Sequence, residues 1–135
     1  MKEIIRKYIT AYENINISSL NDLLDCIDES FVFSDPFHSI NDKNEYKKLL
    51  INMFRNIVNP KFVIINIAQN KNVFFIKWKF TGMYKKEFSF EGMSEVLIKN
   101  NLIVKHIDYW DSGRNFYSNL PIVGKIFKNF HKYLI

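Results

Sequence analysis

The chain of 135 residues holds one cysteine, Cys26, which excludes an internal disulfide and any all-cysteine metal site. No apolar run approaches the roughly 18 residues of a spanning helix. The opening Met1-Lys2-Glu3-Ile4-Ile5-Arg6-Lys7 carries charge too early for a signal peptide, so the expected compartment is the cytoplasm. Arginine is scarce: three stand beside sixteen lysines and fourteen acids, for a net charge of +5. Specific base and phosphate recognition leans on arginine forks, and no dense basic run precedes the C-terminal segment. No nucleic-acid partner is expected. Alanine and glycine are also few, while lysine, asparagine and isoleucine abound. That fits a coding bias toward A and T, which raises lysine without functional demand. What remains, 47% hydrophobic and 24% charged residues, is the composition of one globular domain.

The first third has helical period. Over residues 2–14, Ile5, Tyr8, Ile9 and Tyr12 fall on one stripe. After a polar break at 16–19, Ser19 is placed to cap a second helix whose apolar face is Leu20, Leu23, Leu24 and Ile27. Cys26 on that helix reads as a small buried hydrophobe. Residues 31–35 read as a short strand stopped by Pro36. A third helix is predicted over 44–56, with Tyr46, Leu49, Leu50, Met53 and Phe54 as its stripe.

After Pro60 the period changes from 3.6 to 2. Runs at 61–69, 72–81, 87–99 and 102–111 alternate, and Asn70-Lys71 and Asn100-Asn101 suit tight turns because asparagine tolerates positive φ. Helices followed by a meander predict an α+β domain over 1–118, three N-terminal helices packed in a curved, mostly antiparallel sheet. Residues 119–135 predict an amphipathic tail, with Val123, Ile126, Phe127, Phe130 and Leu134 opposite Lys125, Lys128 and Lys132. The tail is expected to pack on the domain, with an anionic membrane surface as the other reading.

Alternation also assigns faces. Lys77 and Lys79 must meet water, so Phe74, Ile76, Trp78 and Phe80 face the helices. Glu91, Glu95 and Lys99 mark the outer face of the next run, leaving Phe90, Gly92, Ser94, Val96 and Ile98 inside. In the last run Lys105 faces out, and Val104, His106, Asp108 and Trp110 face in. Two ionisable groups thus occupy a face that should be apolar. They need either a paired network stitching strand to helix or a polar cavity. Asp35 shares the parity of Phe31 and Phe33 and adds a third. Three inward ionisable groups point to a pocket walled by Trp78, Phe80 and Trp110. His38, just past Pro36, is a further candidate, or else an exposed loop histidine.

At these residues the chain resembles the nuclear transport factor 2-like superfamily, and within it the SnoaL-like and ketosteroid-isomerase-like proteins. The resemblance rests on Phe33-Ser34-Asp35-Pro36-Phe37-His38, Trp78-Lys79-Phe80, Gly92-Met93-Ser94 and His106-Ile107-Asp108-Tyr109-Trp110-Asp111, followed by Phe116-Tyr117 and Leu120-Pro121-Ile122-Val123-Gly124. It implies a cone with a pocket between helices and sheet. By resemblance Asp35 matches the general base of the isomerases, and Tyr8 approximately matches their first-helix oxyanion donor. Ser94 stands where those enzymes place a second, aspartic donor. That departure argues against steroid isomerisation itself. In SnoaL-like cyclases the resemblance implies acid–base work deep in the cone, where His106 and Asp108 lie.

The candidate catalytic set is therefore Asp35, His106, Asp108 and Tyr8, with Trp78, Phe80, Ser94, Trp110 and His38 around a small apolar substrate. No cofactor is implied, and two histidines and two aspartates at this spacing are not a metal signature. The expected function is isomerase, cyclase, hydratase or dehydratase chemistry on an apolar substrate. The alternative is a non-catalytic ligand-binding or dimeric interaction module of the same fold. The outer sheet face, with Met93, Leu97, Ile103, Ile107 and Tyr109, is expected to form a two-fold homodimer.

Overall fold

The computed structural model describes residues 1–116, 124–126, 129 and 132. The predicted tail at 119–135 lies largely outside them. Helix α1 (Glu3–Glu13) buries Ile4, Ile5, Tyr8 and Ile9, the stripe set by their three- and four-residue spacing. Helix α2 (Leu20–Leu24) buries three leucines and stops earlier than its apolar pattern suggests. Ser19 makes no side-chain cap; instead Asn16 Oδ1 accepts from the backbone N–H groups of Ser18 and Ser19, an Asx turn that ends the polar break. Ile27 opens strand β1 (Ile27–Ser34) instead of closing the helix. It stays buried, because its partner there is Ile103.

A two-residue strand β2 (Ser39–Ile40) follows, then α3 (Lys43–Asn56). Asp42 Oδ1 caps α3 by accepting from the N–H groups of Asn44 and Glu45. The meander comprises β3 (Val58–Asn70), β4 (Val73–Tyr84), β5 (Lys86–Lys99) and β6 (Leu102–Tyr109), and a short α4 (Ser112–Asn115) comes after it. Asn100 and Asn101 both hold positive φ in the last hairpin, the turn their identity predicts. The earlier turn is one residue later than expected: Asn70 pairs with Val73, and Lys71 takes the positive φ.

The six strands form one sheet in the order β2-β1-β6-β5-β4-β3. All neighbours are antiparallel except β1 and β6, which run parallel with Phe33 beside His106. That single parallel contact positions the site. It brings the C-terminal end of β1, and Asp35 just beyond it, to the same end of the sheet as Asp108. The result is the α+β cone: helices on the concave face of a curved sheet, with the core between them.

The inner face carries Phe74, Ile76, Trp78, Ser94, Val96, Ile98 and His106, all buried. Gly92 is needed there, since a Cβ would lie 2.3 Å from the Trp78 ring. One assignment is corrected. Ile103 belongs to the core and is fully buried, because a bulge shifts the register so that Leu97 faces Lys105 while Ile98 faces Ile103. Val104, expected inside, is the extra residue of that bulge. The outer face keeps Met93 and Tyr109 exposed, with Leu97 and Ile107 half-buried. Among the described residues no helix is long and apolar enough to cross a membrane.

Candidate active site

A cavity of about 660 Å³ occupies the cone, bounded by α1, α3 and the inner sheet face. Its walls are aromatic: Phe62, Trp78, Phe80, Phe90 and Trp110 line it, with Tyr12 and Tyr46 from the helices. Phe62 stacks on Phe80 at 4.4 Å between centroids, and Phe90 packs at 4.9 Å from Trp110. The polar groups are few. Asp108 borders the cavity from β6, and Asp35 and His38 border it from the loop after β1.

His106 and Asp108 sit two apart on the inner face of β6. His106 is 4% exposed and its ring is held at both nitrogens. A carboxylate only accepts hydrogen bonds, so the Nε2–H of His106 donates to Asp108 Oδ1 at 2.6 Å. In the neutral ring Nδ1 is then the acceptor, and the Tyr8 hydroxyl, 2.7 Å away, donates to it. Ser94 completes the set. Its Oγ accepts from Trp78 Nε1 at 2.8 Å and donates to Asp108 Oδ1 at 2.5 Å, and it lies 3.0 Å from His106 Nε2. Both donors converge on one oxygen of Asp108. No hydrogen bond from a described residue reaches Oδ2, and the side chain is 19% exposed.

Tyr8 lies 3.4 Å from the Tyr12 hydroxyl, which in turn contacts the Tyr46 hydroxyl. Burial pushes all three phenols well above their ordinary range, and charge repulsion from a neighbouring phenol adds to the rise. They remain protonated donors at neutral pH. Tyr8 and His106 border only a second space of about 20 Å³ behind Asp108, about the room of one water molecule.

The expected residues therefore divide by position. Asp108, Asp35, Trp78, Phe80, Trp110 and His38 line the large cavity, whereas Tyr8, His106 and Ser94 stand behind it. Tyr8 was expected to meet the substrate; its hydroxyl meets His106 Nδ1, and it does not line the large cavity. Asp35 is not an open base. Its Oδ1 accepts from the N–H groups of Phe37 and His38 at 2.8 and 2.7 Å, and His38 Nδ1 lies 2.8 Å away. His38 is 41% exposed, so this pair forms the rim. Tyr12 and Tyr46 are site residues that the pattern reading assigned only to packing. For Tyr12 the signal was present: phenols at positions 8 and 12 of one helical stripe, where leucine would pack as well. Among the described residues no three histidine, cysteine or acidic side chains gather as a metal site.

An α+β cone with an ionisable pair beside an aromatic cavity places the chain among the nuclear transport factor 2-like proteins. Within them it belongs to the SnoaL-like domain family, which matches residues 5–106. Several solved structures are similar in fold. A hypothetical protein with ketosteroid isomerase-like fold from Catenulispora acidiphila, in complex with trimethylamine, has a TM-score of 0.73 at 14% identity over 85% of this chain and 90% of that one. An NTF2-like protein from Burkholderia thailandensis scores 0.73 at 11% identity, covering 83% and 93%. An LEH-like epoxide hydrolase from M. tuberculosis scores 0.70 at 14% identity, covering 84% of each chain. No curated protein matches the chain.

Proposed function

We propose that the chain is an enzyme catalysing proton transfer on a small, mostly apolar molecule held in the cone, with Asp108 as the acid–base group. One observation carries this reading. Two donors fix Oδ1 of Asp108, while Oδ2 has no hydrogen-bond partner among the described residues and the side chain borders the cavity. A structural carboxylate in an apolar wall would have both oxygens satisfied. The volume of about 660 Å³ falls within the roughly 300–1,000 Å³ usual for small-molecule sites.

The roles follow from position. His106 touches Asp108 and not the cavity, so it is a positioning residue that holds the carboxylate and steadies its charge. Tyr8 fixes the imidazole tautomer by donating to Nδ1. Tyr12 and Tyr46, which border the cavity and stay protonated, serve as donors to a substrate oxygen. Isomerisation, cyclisation, hydration and dehydration all use such a set. The fold likeness to an epoxide hydrolase and to a trimethylamine-bound protein supports a small-molecule occupant.

A thermal-shift screen over terpenoid, steroid and polyketide-like compounds tests this reading. A ligand at a hundred times its dissociation constant stabilises by about 2.7 kcal/mol, and bound compounds are then assayed for conversion. Product formation is expected. Tight ligands recovered unchanged would overturn the enzyme reading in favour of a binding module.

We also infer a homodimer through the outer sheet face. Val32, Phe75, Met93 and Tyr109 are exposed there on β1, β4, β5 and β6, and a two-fold axis would let this one patch cover its copy. Sedimentation at micromolar concentration is expected to return twice the 16.2 kDa chain mass; the single-chain mass would refute it.

A further inference from the structure

The proposed acid–base site has an electrostatic feature that narrows its substrate class. The chain has 19 lysines and arginines against 14 acids, yet among the described residues none of the basic side chains lines the cavity. Two carboxylates do. Asp35 is matched by His38 and two backbone N–H groups. Among the described residues Asp108 has no lysine or arginine beside it: its hydrogen-bond partners are the Ser94 hydroxyl and the His106 imidazole, both on Oδ1. The cavity thus sets the unpartnered Oδ2 of a carboxylate inside aromatic walls, with no lysine or arginine among the described residues of the lining.

An unpaired charge in such surroundings is costly unless a ligand supplies the opposite one. The walls are suited to hold such a ligand. Ring faces are negative at the centre and attract cations, tryptophan most strongly, and Trp78 and Trp110 both pack against Phe90, which Phe80 meets in turn. A neutral hydrocarbon would use the walls alone, and an anion would be repelled. We propose that the substrate is a cation, an alkylammonium or arylalkylammonium whose charged nitrogen rests among these rings toward Asp108. This rests on the reading of the cone as an acid–base site and adds the charge of its substrate.

Three probes of one shape test it on the full chain at fixed ionic strength: benzyltrimethylammonium, its neutral isostere neopentylbenzene, and the anion 4-tert-butylbenzoate. Binding is followed by calorimetry and by fluorescence of the two tryptophans. The cation is expected to bind about tenfold or more tighter than the isostere, with the anion weakest. Asp108→Asn should abolish the preference and leave the isostere's affinity unchanged. Should that variant not fold, Trp110→Leu provides the second reading, with a larger loss for the cation than for the isostere. Equal or tighter binding of the isostere to the unaltered chain overturns the proposal. If the isostere wins while Asp108 is still needed for turnover, the acid–base reading stands and only the charge is wrong. If the cation wins but no bound compound is ever converted, the charge assignment stands and the enzyme reading falls.

Discussion

His106 Nε2 lies 2.6 Å from Asp108 Oδ1 although the two residues stand two apart on one strand. Strand rise separates such Cα atoms by roughly 6.5–7 Å, so the side chains lean toward each other. The lean is enforced from both sides. Tyr8 pulls the far nitrogen of the imidazole, and Ser94 meets the carboxylate from β5. The pair is thus oriented by groups from α1 and β5 before any ligand arrives.

The first consequence concerns Tyr8. Its hydroxyl is buried and donates to His106 Nδ1. Tyr8→Phe removes that donor and leaves a buried acceptor unsatisfied, a change worth about 1–3 kcal/mol. Urea denaturation should show that loss, and turnover should fall through kcat more than through KM, because the ring no longer holds Asp108. An unchanged midpoint and unchanged kcat would mean that the contact orients nothing.

A second concerns Gly92. A Cβ at this position would lie 2.3 Å from the indole of Trp78. Gly92→Ala must therefore displace the ring and weaken its bond to Ser94. Overpacking of this kind costs about 1–3 kcal/mol. The expected observation is a lower melting temperature with altered tryptophan emission. Unchanged emission in a stable variant would place the indole elsewhere.

A third concerns alkaline pH. Burial raises the folded-state pKa of Tyr8, Tyr12 and Tyr46 above the ordinary 10.0. Below that value the phenols are neutral in both states and contribute no pH dependence. Above it the unfolded chain ionises first, so stability falls as pH rises, by up to about 1.4 kcal/mol per pH unit for each phenol. Urea midpoints between pH 8 and 11 should be flat and then drop, and Tyr46→Phe should make the drop shallower. A stability that rises above pH 10 would contradict the buried cluster.

Much of the fold was legible because period reports burial. The inner set Phe74, Ile76, Trp78 and Phe80 follows from Lys77 and Lys79 alone, and it is the buried set. Three things were less legible. The parallel pairing of β1 with β6 joins distant parts of the chain, and alternation within one strand carries no information about partners. The bulge at Val104 reversed the face of Ile103, since one inserted residue undoes parity. The ionisable residues themselves stood out as polar positions on an apolar face, but the direction of their hydrogen bonds did not. Sequence placed His106 against the substrate, whereas both its nitrogens are held by Tyr8, Asp108 and Ser94. Asp35 likewise shared the inward parity, yet the turn at Pro36 folds His38 back onto it.

Asp108→Asn is the most direct test of the central claim, measured on a compound that the unaltered chain converts. The amide keeps the shape and one acceptor oxygen but cannot take up a proton. The account predicts a folded variant whose turnover at saturating compound is lower by about two to four orders of magnitude. Full turnover by a folded Asp108→Asn variant would contradict it.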